Sequence, residues 1–294
     1  MELRTLRYFL AVAREENMTE AANVLHVTQP TLSRQIADLE RELGVELFER
    51  TNRSCALTGD GMRLRQRAEE ILALVDQTES EMGDQELGIA GNIRIGAGET
   101  QAMSYVLDTF AALRRDYPAV TIELYTGNAD ATEERLERGL LDFALLLEPV
   151  NLDKYEWVRI PQTDRAGVAV ASDGPWGAFD SLTPTDLAKM PLLLSSRTSN
   201  KAIDLVAWSG GRIDPEDLNV VGCFDLIGNA SHLIRSGAAC AMGIDHLLQV
   251  DASSQMRFVP LDPPIEIASF LVWKKYRLRS RACEEFLNRL KRKA

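Results

Sequence analysis

The order of apolar and polar positions divides the chain near residue 90, with a helical period of three and four before it and short apolar runs separated by helical stretches after it. Residues 18 to 50, MTEAANVLHVTQPTLSRQIADLERELGVELFER, read as two helices joined by a short turn and followed by the start of a hairpin. The first helix carries Ala21, Ala22 and Leu25, with Thr19 as its expected cap, and Val27 closes the turn before a second expected cap at Thr28. The second helix is predicted to begin at Gln29 or Pro30, where the missing proline N–H costs nothing. Its buried stripe is Leu32, Ile36, Leu39 and Leu43, which leaves Gln29, Thr31, Ser33, Arg34 and Asp38 facing outward. An earlier helix offers Leu3, Leu6, Phe9, Leu10 and Ala13 as support from behind.

An exposed set of Gln, Thr, Ser and Arg at a helix start suits the major groove of double-stranded DNA. Gln29 can pair with an adenine through two hydrogen bonds, Pro30 and Thr31 can pack on a thymine methyl, and Arg34 can reach guanine or a phosphate. The positive end of the helix dipole favours phosphate as well. The pattern alone also fits a plain corner of a helical core.

From Thr58, an expected cap, to about Leu87 no proline occurs, and Leu64, Ala68, Ile71, Val75, Thr78 and Met82 recur at steps of four and three. A helix of this length spans roughly 43 Å at 1.5 Å per residue, more than a small winged domain covers. Such a seam either pairs with the same helix of another subunit or packs on its own chain, and Thr78 weakens it. Residues 87 to 91, Leu-Gly-Ile-Ala-Gly, read as an exit hinge.

After Asn92, strands and helices alternate through NIRIGA, a helix over 101 to 116, VTIELYTG, ATEERLERG and DFALLLE. A second set follows: RAGVAVAS, a helix at 186 to 189, PLLLSS, a helix near 200 to 208, NVVGCFD, a helix at 227 to 236 and ACAMGI. Apolar strands in this order imply mainly parallel sheet covered on both faces, in two α/β lobes. Ligands in open α/β sheets lie at the carboxyl ends of the strands, here Gly98 to Gln101, Thr126 to Asn128, Leu147 to Pro149, Ser195 to Thr198, Phe224 to Asn229 and Gly243 to His246. Thr100 at a helix start offers a hydroxyl and free N–H groups to a carboxylate, and Arg197 with Thr198 can hold the other end of a ligand. Glu99 fits a simple anion poorly, so either it points outward or the ligand brings an amine or hydroxyl to it. Gly98, Gln101, Thr126, Ser196, Asn229 and Ile244 complete the expected lining, and all these residues equally suit ordinary helix and strand ends.

Composition narrows the classes. The formal net charge is −11, and residues 1 to 90 hold 10 Lys or Arg against 17 Asp or Glu, a balance that excludes a nonspecific DNA coater. Local charge from Arg34, Arg50 and Arg53 would still converge on a reading face if residues 45 to 57 form a hairpin. The C-terminal stretch from 274 carries nine Lys or Arg against Glu284 and Glu285, either as a second DNA contact or as an amphipathic helix packing through Ala282, Phe286, Leu287 and Leu290. Cys55, Cys223, Cys240 and Cys283 have no metal-ligand spacing, and Cys223 and Cys240 are either redox-sensing or ordinary buried thiols. His26, His232 and His246 form no recognisable catalytic motif, and the adjacent pairs Ser231-His232 and Asp245-His246 are not expected to face one another. No apolar run approaches a membrane span and no leader is read, which predicts a cytoplasmic protein. A solute-binding transport protein would match residues 92 to 294 alone.

The first 60 residues or so, with the blocks LHVTQPTLSRQI and LGVELFER, resemble without a gap the DNA-binding domain of the LysR-type transcriptional regulators. The resemblance implies an α/β protein with an N-terminal winged helix-turn-helix at 1–58, a linker or dimerisation helix and hinge at 59–90, and an effector-binding regulatory domain at 91–294. That domain would be two-lobed and similar to periplasmic binding proteins, with lobe 1 at about 92–161 and 267–294, lobe 2 at about 162–266, and the hinge near Pro161 and Ile265. It further implies double-stranded promoter DNA, a small-molecule effector between the lobes and RNA polymerase as partners. It implies no cofactor and no catalysis, and a homodimer through the 59–87 helix or a homotetramer.

Overall fold

The computed structural model describes residues 1–50, 55–83, 88–196, 204–247, 255–276 and 278–293. Met1–Gly83 and Asp84–Ala294 are two compact units.

The first unit holds α1 (Leu3–Glu15), α2 (Met18–Val24), α3 (Gln29–Leu43), a hairpin of β1 (Phe48–Arg50) and β2 (Cys55–Leu57), and α4 (Gly59–Gly83). Asn17, rather than Thr19, caps α2: its side chain accepts the N–H groups of Thr19 and Glu20 at 2.8 and 3.2 Å. The turn to α3 closes where Val27 donates its N–H to the Ala22 carbonyl at 3.0 Å, with His26 in the left-handed region at φ 55. Gly44 ends α3 at φ 71, a conformation that costs glycine little. One Glu40 oxygen on α3 then accepts the N–H groups of Leu47 and Phe48 at 2.9 and 3.3 Å, which ties the hairpin to α3.

Leu6, Phe9, Leu32, Ile36, Leu39 and Phe48 meet in the core of this unit, with the Phe9 and Phe48 ring centres 5.3 Å apart. Leu43, expected in the stripe, stays 39 % exposed because α3 outruns the core there. Thr58 caps α4 by accepting the Gly61 N–H at 2.9 Å. The expected coiled-coil seam divides: Ala68 is buried in the unit's own core with Leu72, and Leu64 and Ile71 pack against it. The first half of the long helix is therefore covered by its own chain, while Leu74 further along is exposed.

The second unit is built on β3 (Gly91–Ala97), α5 (Ala102–Asp116), β4 (Val120–Thr126), α6 (Ala129–Glu137), β5 (Phe143–Leu147) and β6 (Tyr155–Ala171). It continues through α7 (Pro184–Leu187), β7 (Leu192–Ser195), α8 (Leu205–Ser209), β8 (Val220–Phe224), α9 (Ile227–Arg235), β9 (Cys240–Ile244), β10 (Met256–Pro260), β11 (Glu266–Lys274) and α10 (Arg281–Lys293). The strands run in the order β4-β3-β5-β11-β6-β9-β7-β8, with β10 also on β6. Pairs β3/β4, β3/β5, β7/β8 and β7/β9 are parallel, whereas β11 and β10 are antiparallel to β6. The sheet is thus less uniformly parallel than the strand-helix rhythm predicts.

The 17-residue strand β6 serves two cores. Its first part, from Tyr155, pairs with β11, and its last part, from Ala166, pairs with β9 and β10. Phe143, Leu271 and Phe286 lie in the core on one side, and Val168, Leu192 and Met242 in the core on the other. Helix α10 lies on the first of these through Ala282, Phe286, Leu287 and Leu290, so the C-terminal basic stretch includes an amphipathic helix whose charges stay outside. Each buried Leu or Phe of this kind contributes about 1.5–3 kcal/mol relative to exposure.

Candidate functional site

Helix α3 presents Gln29, Pro30, Thr31 and Arg34 to solvent, with Ser33 half-exposed, because Leu32, Ile36 and Leu39 are buried on the opposite face. Thr28 sits at the cap position, yet its side chain accepts no N–H of the first turn; its hydroxyl meets that of Thr31 at 2.8 Å instead. No acidic residue occupies that turn. The helix therefore begins with N–H groups left without a side-chain acceptor, which is the arrangement that receives a phosphate. The Arg50 side chain and Arg53 lie outside the described residues.

In the second unit the carboxyl ends of six strands surround one cavity of about 140 Å3. Gly98 and Glu99 come from β3, Gly127 and Asn128 from β4, Leu147 and Glu148 from β5, Ser195 and Ser196 from β7, Phe224 and Asp225 from β8, and Gly243 and Ile244 from β9. Leu145, Leu146, Leu247 and Ile267 add apolar surface. Two hydrogen bonds cross from the β3/β4 side to the β8/α9 side. The Ile227 N–H at the start of α9 donates to Glu99 Oε2 at 2.9 Å, and Asn128 Nδ2 donates to Asp225 Oδ1 at 3.3 Å. Ser196 also donates its hydroxyl to Asp225, and these two donors hold the Asp225 carboxyl below the usual carboxylate range.

Of the residues expected to line the cleft, Gly98, Glu99, Ser196 and Ile244 do so. Thr100, Gln101, Thr126 and Asn229 do not, and Arg197 and Thr198 lie outside the described residues. Thr100 is turned away because its hydroxyl donates to Asp164 Oδ2 at 2.7 Å, while the Gln101 N–H reaches Asp164 Oδ1 at 3.3 Å. Asp164 lies on β6 and is buried; that burial pushes its carboxyl up, against the lowering effect of the two donors. Glu99 does not point outward. The sequence marks the ends of these strands but carries no local signal for Asp164, which sits in mid-strand, or for Ile267.

A family profile described as the LysR substrate binding domain matches residues 87–294, and one described as bacterial regulatory helix-turn-helix protein, lysR family, matches residues 3–62. The chain belongs to the LysR family of transcriptional regulators. The regulator is 30% identical over 292 residues to the HTH-type transcriptional regulator YnfL of Escherichia coli (strain K12), across 97% of this chain and 96% of the relative. It is 26% identical over 292 residues to BsdA of Bacillus subtilis (strain 168), across 98% and 99%. Full-length CbnR, crystallised with its target DNA, shares the fold at TM-score 0.76 and 23% identity, with all of both chains covered.

The regulator is thus a DNA-binding transcriptional regulator with an effector-binding domain, and not an enzyme. Among the described residues no helix is long and apolar enough to cross a membrane. His246 departs from its expected isolation: it lies in a turn at φ 62, which brings its Nε2 to 3.5 Å from Asp245 Oδ2. The cysteines also differ from the expected pair. Cys240 is buried, with its thiol pushed up to about 11 by burial, whereas Cys223 on β8 is exposed. A thiol so far above neutrality is almost wholly protonated and a poor nucleophile.

Proposed function

We propose that the regulator is a one-component switch: a small molecule in the β-strand-end cavity favours one arrangement of the two lobes, and that preference alters how paired reading heads hold promoter DNA. The observation that carries this reading is the pair of hydrogen bonds, Glu99 to Ile227 and Asn128 to Asp225, that span the same cavity whose walls come from both lobes. A ligand there cannot settle without biasing those contacts, and a bias of this kind is what an effector needs in order to shift an equilibrium.

The head at 1–58, the linker and hinge at 59–90 and the regulatory domain at 91–294 divide the labour. Gln29, Pro30, Thr31, Ser33 and Arg34, with Arg50 and Arg53 of the wing, read the DNA. Subunits pair through the 59–87 helix, and the exposed Leu74 beyond the covered half supports that pairing. A dimer meets two half-sites, and the assembly on the promoter is a dimer or a tetramer; the protein works in the cytoplasm and contacts RNA polymerase at the promoter.

A genome-wide map of DNA bound by the purified protein, with an Arg34→Ala control, tests the reading. Discrete intergenic peaks sharing an interrupted palindrome are expected, with the variant losing about 1–3 kcal/mol of site discrimination. Diffuse binding unaffected by the substitution would refute it.

A further inference from the structure

Of the helix starts at the strand ends, those of α5 and α9 already hold a carboxylate of the chain itself, and that of α6 is capped by Asn128, whose Oδ1 accepts the Ala131 N–H at 2.9 Å. Asp164 takes the Thr100 hydroxyl and the Gln101 N–H at the start of α5, and Glu99 takes the Ile227 N–H at the start of α9. A ligand carboxylate at the start of α5 or α9 would have to displace the one already there.

The cavity wall points the same way. It carries the carboxylates of Glu99, Glu148 and Asp225, and no Lys, Arg or His among the described residues lines it. The donors Ser196 and Asn128 keep Asp225 ionised. An anion entering this space meets like charge, whereas a cation meets carboxylates of opposite charge. Leu145, Leu147, Phe224, Ile244 and Leu247 make the remainder apolar. At about 140 Å3 the space is close in volume to a cavity of ~150 Å3 that admits benzene.

We propose that the cavity binds a small organic cation, an apolar body the size of one six-membered ring bearing a protonated amine that faces Asp225 and Glu148. This rests on the effector reading above and names the chemical class of the effector.

Benzylamine, benzyl alcohol and benzoate have nearly one shape and carry positive, zero and negative charge at neutral pH. Titrated into the full-length protein, benzylamine is expected to bind about tenfold more tightly than benzoate, with benzyl alcohol between them. The preference should shrink in Asp225→Asn and, separately, in Glu148→Gln, both at exposed positions, with folding of each variant checked by thermal melting. Benzoate binding as tightly as benzylamine, as Arg197 would produce by reaching the cavity, overturns the charge class. Failure of all three to saturate in the low millimolar range overturns the proposal as well. The effector reading is read separately, by filling the cavity with Ile244→Trp: a promoter response in cells that survives this variant defeats that reading, whereas loss of the response together with a benzoate preference defeats only the cation.

Discussion

The reading head and the regulatory domain treat the same piece of physics in opposite ways. Every helix begins with N–H groups that lack intrahelical partners and with the positive end of its dipole. In the head, α3 leaves that end without a side-chain cap or an acid, facing solvent beside Arg34. In the regulatory domain, Asp164 and Glu99 close the starts of α5 and α9 from other elements. An open helix start is a seat for an external anion, and a closed one is a structural joint that a ligand must work around. The contrast is between one helix start left uncapped and two closed by carboxylates from distant parts of the chain.

The strongest way to break the contrast is to take away a closing partner. Thr100→Val leaves buried Asp164 short of a charge-assisted hydrogen bond and is expected to destabilise the regulatory domain by about 1–3 kcal/mol at neutral pH. A carboxyl whose folded pKa stands above its ordinary 3.8 binds more protons when folded, so stability falls as pH rises from 3.8 through the folded value and is level above it. The Thr100 hydroxyl lowers that folded pKa, and its loss widens the window. Urea unfolding should therefore show a small gap between variant and parent in acid and the full gap near neutrality. A gap independent of pH would show that the hydroxyl does not serve the ionised form.

The converse change closes the open start. Thr28→Asp places a carboxylate at the cap of α3 and should raise head stability by at most about 1 kcal/mol. The same charge should weaken binding to promoter DNA, because it sits where a phosphate is expected. Calorimetric melting and a DNA titration check the two signs; stabilisation without loss of affinity would mean the phosphate lies elsewhere.

The smallest effect concerns edges rather than helix starts. In the native protein a thiol reagent should label Cys223 readily, and Cys55, Cys240 and Cys283 only on unfolding. Equal labelling of Cys223 and Cys240 would place the β9 interior in frequent exchange with solvent.

Much of this was legible locally. The helices of the head follow from spacing, since residues three and four apart share a helix face, and the corrections fall at helix ends: Asn17 outcompetes Thr19 as a cap, and Leu43 overruns the core. The first half of the linker helix turned toward its own head because Ala68 and Leu72 find a hydrophobic core within reach before any second copy is needed. Strand β6 was read only from Arg165 onward, because Pro161 and the alternating charges before it disguise its first half. Strand β11 was missed altogether, although its apolar run belongs to a strand buried on both faces.

For the cavity, strand ends were marked correctly in place, but side-chain direction was not. Thr100 read as a ligand seat is a joint to Asp164, 64 residues away, and Glu99 reaches a backbone N–H 128 residues away. The sequence by itself determined which residues of α3 face out and where the strands end, because helix and strand periods are short-range geometry fixed by the backbone. Only the tertiary structure decided which carboxylate fills which helix start. That choice depends on how strands from distant parts of the chain align, and hydrogen-bond partners so far apart leave no mark in the local pattern.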